Sequence, residues 1–280
     1  MKELFELATG SVLGRNHILA EKNNQDALHY FSLPALTIAI VCDGCGSSKH
    51  SEIGAKIGSR LITESISRHA NDFNQSNKIA LALESVRQDV LSQIRTLSIA
   101  MGDNFNQTII DYFLFTAIGV IITPKLTTTF YLGDGLTIIN GVLSTFGPFP
   151  NNEPPYLGYG LLNSSKVTLR SELIQFQINL LTTTADVQSI LIGTDGLNDL
   201  IRVEQQKLPG TEELVGPISQ FWENDKFFKN PDMVRRRLSV INRTFLKPDW
   251  TNLSLIKENG LLPDDTTLII IRRKKLVSEV

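Results

Sequence analysis

Acidic residues stand at the ends of apolar runs in four well-separated places. Residues 36–43 read LTIAIVCD and end in Asp43; Gly44, Gly46 and Gly54 follow within eleven positions, just before and into a helical pattern. Residues 130–135 read FYLGDG, and residues 190–200 read ILIGTDGLNDL. The pair Asp264-Asp265 immediately precedes TTLIIIRR. A carboxylate carried to a strand tip, with glycine beside it, lets the backbone come close to a charged ligand. Acids delivered in this way from distant stretches point to one convergent acidic site. Oxygen-only ligands suit a hard divalent cation, Mg²⁺ or Mn²⁺, better than zinc.

Asp-Gly after an apolar run is also a common hairpin signal. A strand follows Asp134-Gly135, so a hairpin turn accounts for that pair taken alone. A loop and a helix follow Asp43-Gly44 and Asp195-Gly196, and there the hairpin reading fails. The structural alternative for Asp195 is a helix N-cap. Cys42 and Cys45 form a CxxC, but there is no second CxxC and no paired-histidine motif to complete a zinc site. One core cysteine and one loop cysteine is the expectation. The four histidines, His17, His29, His50 and His69, are scattered. None is assigned as a general acid, and only His17 and His50 are loop candidates. Arg235-Arg236-Arg237 reads as a solvated helix face, with partner docking as the lesser alternative.

The elements that must position these acids follow from periodicity. Residues 4–13, 27–33 and 36–43 read as strands, with 14–24 as a polar loop. Apolar residues at Ile53, Ile57, Leu61, Ile62 and Ile66 predict a helix over 51–69, and a second stripe predicts a helix over 78–99. Strands over 112–123, 127–132 and 136–146 read as a β-meander. Residues 147–165, rich in Pro, Gly and Asn, read as a surface flap or small insert. Strands are expected at 167–178 and 189–194, helices at 197–201, 211–222 and 231–246, a last strand at 266–273, and then a polar tail, 274–280. Strands, helices, a meander, helices and a final strand make an α+β fold. Two long helices between sheet segments fit a layered sheet sandwich with helices outside.

The chain has 280 residues, 42% of them hydrophobic and 20% charged, ample for one domain over 1–280 with a buried core. A net charge of −2 gives no reason to expect nucleic acid as the main partner. The apolar runs are too short to span a bilayer. MKELFELATG lacks signal-peptide character, and two cysteines are compatible with a reducing compartment, so a cytoplasmic location is expected.

Six blocks, NNQDA (23–27), VCDGCGSSKHSEIGA (41–55), FTAIGVII (115–122), YLGDG (131–135), IGTDGLNDL (192–200) and DDTTLIII (264–271), occur in order over nearly the whole chain. In this the chain resembles the metal-dependent type 2C serine/threonine protein phosphatases, in particular a bacterial branch with Gln-Asp in place of Glu-Asp. The resemblance implies a four-layer α-β-β-α sandwich of two antiparallel sheets flanked by helices. It implies two Mg²⁺ or Mn²⁺ ions, with Asp43 bridging them and the Gly44 carbonyl on one. Asp195 and Asp264 would hold the other ion, and Asp26 would act through a metal-bound water. Asp134 with Asp195 would hold a third, weaker ion. Asp265 would support by hydrogen bonding, and Thr267 would be buried.

The resemblance further implies hydrolysis of phosphoserine or phosphothreonine in proteins, without a protein nucleophile: two ions sharing a water acidify it for in-line attack. A phosphoprotein partner, opposite a Ser/Thr kinase, and a monomeric state are expected. The chain departs from the family at Glu21, where relatives carry a phosphate-gripping Arg. Arg15, His17 and Lys22 are the candidate replacements, each equally readable as a solvated loop residue. A second departure is Gly135-Leu136 in place of Ser-Arg. These departures leave room for a non-catalytic relative that binds a phosphoprotein or kinase. Hydrolysis of a small phosphate ester is a further alternative.

Overall fold

A computed structural model describes residues 1–162 and 171–275. In chain order the elements are β1 (Phe5–Val12), α1 (Arg15–Leu19), β2 (Asp26–Leu33), β3 (Leu36–Asp43), α2 (Ser51–Arg68), α3 (Ile79–Met101) and α4 (Phe105–Tyr112). Then come β4 (Ala117–Ile122), β5 (Leu126–Leu132), β6 (Gly135–Ile139), β7 (Val142–Phe146), β8 (Gln177–Thr183) and β9 (Ser189–Gly193). The C-terminal third holds α5 (Leu197–Arg202), α6 (Gln220–Glu223), α7 (Lys226–Lys229), α8 (Met233–Ile241), β10 (Phe245–Asp249), β11 (Ser254–Glu258) and β12 (Thr266–Arg273).

Two five-stranded antiparallel sheets form, in the orders β2-β3-β4-β5-β8 and β1-β12-β9-β6-β7. Alternation along the central strands shows how they stack. Ile38, Ile40 and Cys42 of β3 join the core beneath α2, α3 and α4, whereas Ala39 and Val41 join a second core shared with β9 and β12. In β12, Ile269 and Ile271 enter that shared core, and Leu268 and Ile270 face α5–α8. Both faces of each central strand are therefore buried, which is why these strands read as continuous apolar runs. The result is four layers, helices–sheet–sheet–helices, as the sequence implied.

Several local expectations are corrected. Residues 14–24 are not all loop: α1 forms there, anchored by Arg15 N and Asn16 N donating to the carbonyls of Leu262 and Pro263. The meander breaks at Asp134, because β5 and β6 lie in different sheets. The strand expected over 136–146 is two strands, β6 and β7, joined at Asn140-Gly141, both with positive φ. Residues 103–111, which carried no expectation, contribute most of α4. Residues 147–162 are not merely surface: Tyr156 and Leu157 are buried against the α3–α4 core. The rest of that insert, 163–165, and the start of the strand expected at 167 lie outside the described residues; β8 begins only at Gln177. The helix expected over 211–222 shrinks to Gln220–Glu223. The one expected over 231–246 ends at Ile241 and gives way to the β10–β11 hairpin, exposed along most of its length.

Candidate functional site

Asp26 and Asp43 are direct cross-strand partners, so their side chains share one face of the β2–β3 ladder. By the alternation above, that is the face bearing Ala39 and Val41, which packs on the other sheet. The two acids therefore cap one end of the inter-sheet core. Asp195 arrives from the end of β9, Asp264 from just before β12, and Asp134 from the crossing between β5 and β6. Asp43, Asp134, Asp195 and Asp264 line one cleft of about 750 Å³, together with Gly44, Gln25 and His17.

Close backbone packing fixes each turn. A Cβ on Gly44 would lie 2.8 Å from the Ser51 side chain, and one on Gly196 would lie 2.0 Å from the Asp265 carbonyl oxygen. Asp134 sits between Gly133 and Gly135, both in the positive-φ region, which carry the chain from one sheet to the other. Asp265 uses both carboxylate oxygens to accept from the backbone N–H groups of Gly14 and Gln25, each at 2.6 Å. It thereby ties the approach to α1 and the approach to β2 to the start of β12.

A buried hydroxyl chain supports the acids. Thr194 Oγ1 donates to Asp26 Oδ2 at 2.7 Å and accepts from Thr267 N at 3.1 Å, while Thr267 Oγ1 pairs with Ser11 Oγ at 2.7 Å. Thr267 is buried as expected, but inside strand β12. Gln25 Nε2 donates to Ser51 Oγ, which donates to the Cys45 carbonyl and so holds the 44–51 loop. Sequence reasoning missed Thr194, Gln25 and Ser51 as site residues. The signal for Thr194 was its place directly before Asp195 at the end of an apolar strand.

Electrostatically the site is crowded. Burial and the neighbouring Asp265 push the Asp26 carboxyl well above the usual carboxylate range. Burial, then Asp26 and Asp195, do the same to Asp43. Burial followed by Asp195 raises Asp134 to about 7. Burial followed by Asp264 raises Asp195. Asp264 is raised by burial as well. Among the described residues lining the cleft there is no Lys or Arg to offset this charge.

The three candidates for a phosphate grip are placed differently. His17, on α1, lines the cleft; its Nδ1 lies 2.9 Å from Asp265 Oδ2 and 4.0 Å from Asp264 Oδ1, near enough for an ion pair but without hydrogen-bond alignment. Lys22 donates to the carbonyl of Gly46, a residue of the cleft rim. The structure does not bring Arg15 to the cleft; its guanidinium donates to the Gly260 carbonyl. Glu21 is exposed in a left-handed backbone conformation directly after α1.

The donor set fits a hard divalent cation. Asp26 is 6% exposed and Gln25 4%, yet Asp26 Oδ1 and Gln25 Oε1 have no hydrogen-bond partner. Buried oxygens are rarely left unpaired, and clustered carboxylates without a counter-charge are costly. The two cysteines, both free and buried, supply no thiolate pair to the cleft, since only Cys45 lines it.

The profile of the family described as Protein phosphatase 2C matches residues 13–233. No curated protein matches. Among solved structures, the Mycobacterium tuberculosis serine/threonine phosphatase PstP/Ppp is similar at 12% identity, with 97% of this chain and 100% of that chain covered and a TM-score of 0.52. The catalytic domain of PstP in complex with 2 manganese ions is similar at 12% identity, 97% and 99% coverage and a TM-score of 0.52. The serine/threonine phosphatase Stp1 from Staphylococcus aureus is similar at 12% identity, 97% and 96% coverage and a TM-score of 0.51. At these identities the likeness concerns the fold.

Proposed function

Because the chain belongs to the protein phosphatase 2C family, we propose that it is a catalytically competent Mg²⁺- or Mn²⁺-dependent phosphatase of phosphoserine and phosphothreonine in proteins. The observation that carries this is the convergence of Asp43, Asp134, Asp195 and Asp264 on one cleft, with the buried, half-unpaired Asp26 behind them. Asp43, the Gly44 carbonyl, Asp195 and Asp264 would hold a pair of divalent ions, and Asp134 with Asp195 a third. Bound there, such ions supply Lewis-acid polarisation of the phosphoryl oxygens and acidify a water for in-line attack. The chain itself contributes placement. Thr194 occupies one oxygen of Asp26 and leaves the other buried without a protein partner, where it would orient a water by hydrogen bonding. Asp265 clamps together the segments that carry α1, Asp26 and Asp264. His17, beside Asp264 and Asp265, would present its imidazole at the cleft where a phosphate oxygen approaches. Lys22 offers a cation at the rim.

We read residues 1–280 as a single phosphatase domain, monomeric and cytoplasmic, working opposite a Ser/Thr kinase. Among the described residues no helix is long and apolar enough to cross a membrane. A second reading, a regulatory module that binds a phosphoprotein without hydrolysing it, is favoured by the lack of any Arg or Lys among the described lining residues.

The deciding assay is phosphate release from an aryl phosphate and a phosphothreonine peptide with Mn²⁺, with Mg²⁺ and with chelator. Metal-dependent release that drops about 10³-fold or more in Asp43→Asn is the expected result. Full metal-dependent activity in Asp43→Asn would refute the site assignment. No turnover with either metal, in a protein that still binds the metal, would favour the regulatory reading.

A further inference from the structure

The cleft is larger than its acids require. At about 750 Å³ it falls in the range of sites that enclose a sizeable organic group, not a lone phosphate. The same cleft is lined by an apolar wall of Ile110, Leu114, Pro154, Tyr156, Tyr159 and Leu162. Ile110 comes from α4, Leu114 from the segment after it, and the remainder from the turn region at 154–162.

This wall is built rigidly. Leu157 N donates to the Phe115 carbonyl at 3.1 Å, and Gly158 packs so closely that a Cβ there would lie 2.3 Å from the Phe113 carbonyl oxygen. The rings of Tyr156 and Tyr159 meet edge to face at 5.4 Å. Tyr156 is 7% exposed and belongs to the core, but Tyr159 and Leu162 are only half-buried and leave apolar surface on the cleft side. Burial and the nearby Cys45, Asp43 and Asp134 keep the Tyr156 phenol protonated, so the wall stays neutral beside the acids.

Taking the phosphatase reading as its basis, we propose that this wall is a subsite for an apolar, preferably aromatic, side chain adjacent to the phosphorylated residue of the substrate. The phosphoryl group would lie against the acidic side, where bound cations would meet its charge. The neighbouring side chain would cross the cleft to the tyrosines, where flat aromatic surface favours edge or offset stacking. Selection among phosphoproteins would then rest on the apolar wall, because among the described residues no Lys or Arg lines the cleft to read acidic neighbours.

The test uses pairs of phosphothreonine peptides differing only in Phe against Ser, placed on either side of the phosphothreonine. Two quantities are read with Mn²⁺: kcat/KM for phosphate release, and affinity by fluorescence anisotropy. The Phe peptide of at least one pair should lead by about 10-fold or more in both. That ratio should fall towards one in Tyr159→Ala and in Leu162→Ala, and should persist in Val142→Ser, on the exposed face of β7 away from the cleft. Since each ratio is taken within one variant, partial loss of folding or metal cancels. Equal binding of the two peptides of every pair, or a ratio untouched in both alanine variants, would overturn the subsite. A chain that prefers the Phe peptide in binding but releases no phosphate would overturn the phosphatase reading and support the subsite.

Discussion

Replacing Asp134 by Asn should stabilise the metal-free protein at neutral and alkaline pH. Asp134 has an ordinary value of 3.8 and stands at about 7 in the folded chain, because of burial first and then the charges of Asp195 and Asp264. A carboxyl whose folded value exceeds its unfolded value favours the folded state while it stays protonated. That contribution is complete below 3.8, shrinks as pH rises, and is lost by about 7. Over that interval of about three pH units, at about 1.4 kcal/mol each, the ionised side chain costs up to ~4 kcal/mol. Water in the cleft reaches part of the side chain, and screening reduces the figure to about 2 kcal/mol. The isosteric amide removes the charge. For a chain of this size the gain corresponds to about 5 °C in melting temperature. Melts in chelator at pH 8 and at pH 4.5 test this: the full gain belongs at pH 8 and only a fraction at pH 4.5. An unchanged or lower melting temperature at pH 8, or equal gains at both pH values, would refute the picture of mutually repelling, buried carboxylates.

Mn²⁺ at a hundred times its pH 8 dissociation constant should add about 2.7 kcal/mol of stability at pH 8, and the same concentration should add less at pH 5, since the raised carboxyls must release protons to bind it; calorimetric scans with and without the ion at the two pH values read both. Asp265→Asn should cost about 1–3 kcal/mol in chemical denaturation, because an amide NH₂ would face one of the two backbone donors, Gly14 or Gln25, that both carboxylate oxygens now serve. Gly196→Ala should cost about 1–3 kcal/mol and weaken Mn²⁺ binding measured by titration calorimetry, since its Cβ would force the 195–196 turn away from Asp265.

The parts legible in the sequence were those where burial imposes a period or an unbroken apolar run. β3 and β12 are buried on both faces and read as strands; α2 and α3 bury one stripe each and read as helices. The strand-tip acids were legible because carboxylates after such runs have few structural uses. What escaped is held by tertiary contact instead of pattern. The short helix α1 carries no apolar periodicity and rests on Leu262 and Pro263 carbonyls, more than two hundred residues away. The crossing at Asp134 looks like a hairpin because Asp-Gly serves a turn within a sheet as readily as one between sheets. The β10–β11 hairpin was unreadable for the opposite reason: it buries so little, with Trp250 81% and Leu253 88% exposed at its tip, that no alternation marks it. The pairing of Asp26 with Asp43 is a matter of register, and register is visible only once the strands are aligned.

The position of β12 between β1 and β9 has a consequence for how the protein is made. β1 is bonded in its sheet to β12 alone, Phe5 facing Arg273 across the full length of the chain. As the chain leaves the ribosome N-terminus first, β1 emerges early and waits for a partner synthesised some 250 residues later. Closing so long a loop is slow, and meanwhile the edges of both β1 and β9 lie open. The first sheet, with Asp26 and Asp43, can form before that. Asp264 and the Asp265 clamp arrive only with β12, so the acidic cleft of the nascent chain stays incomplete until that strand slots into the gap.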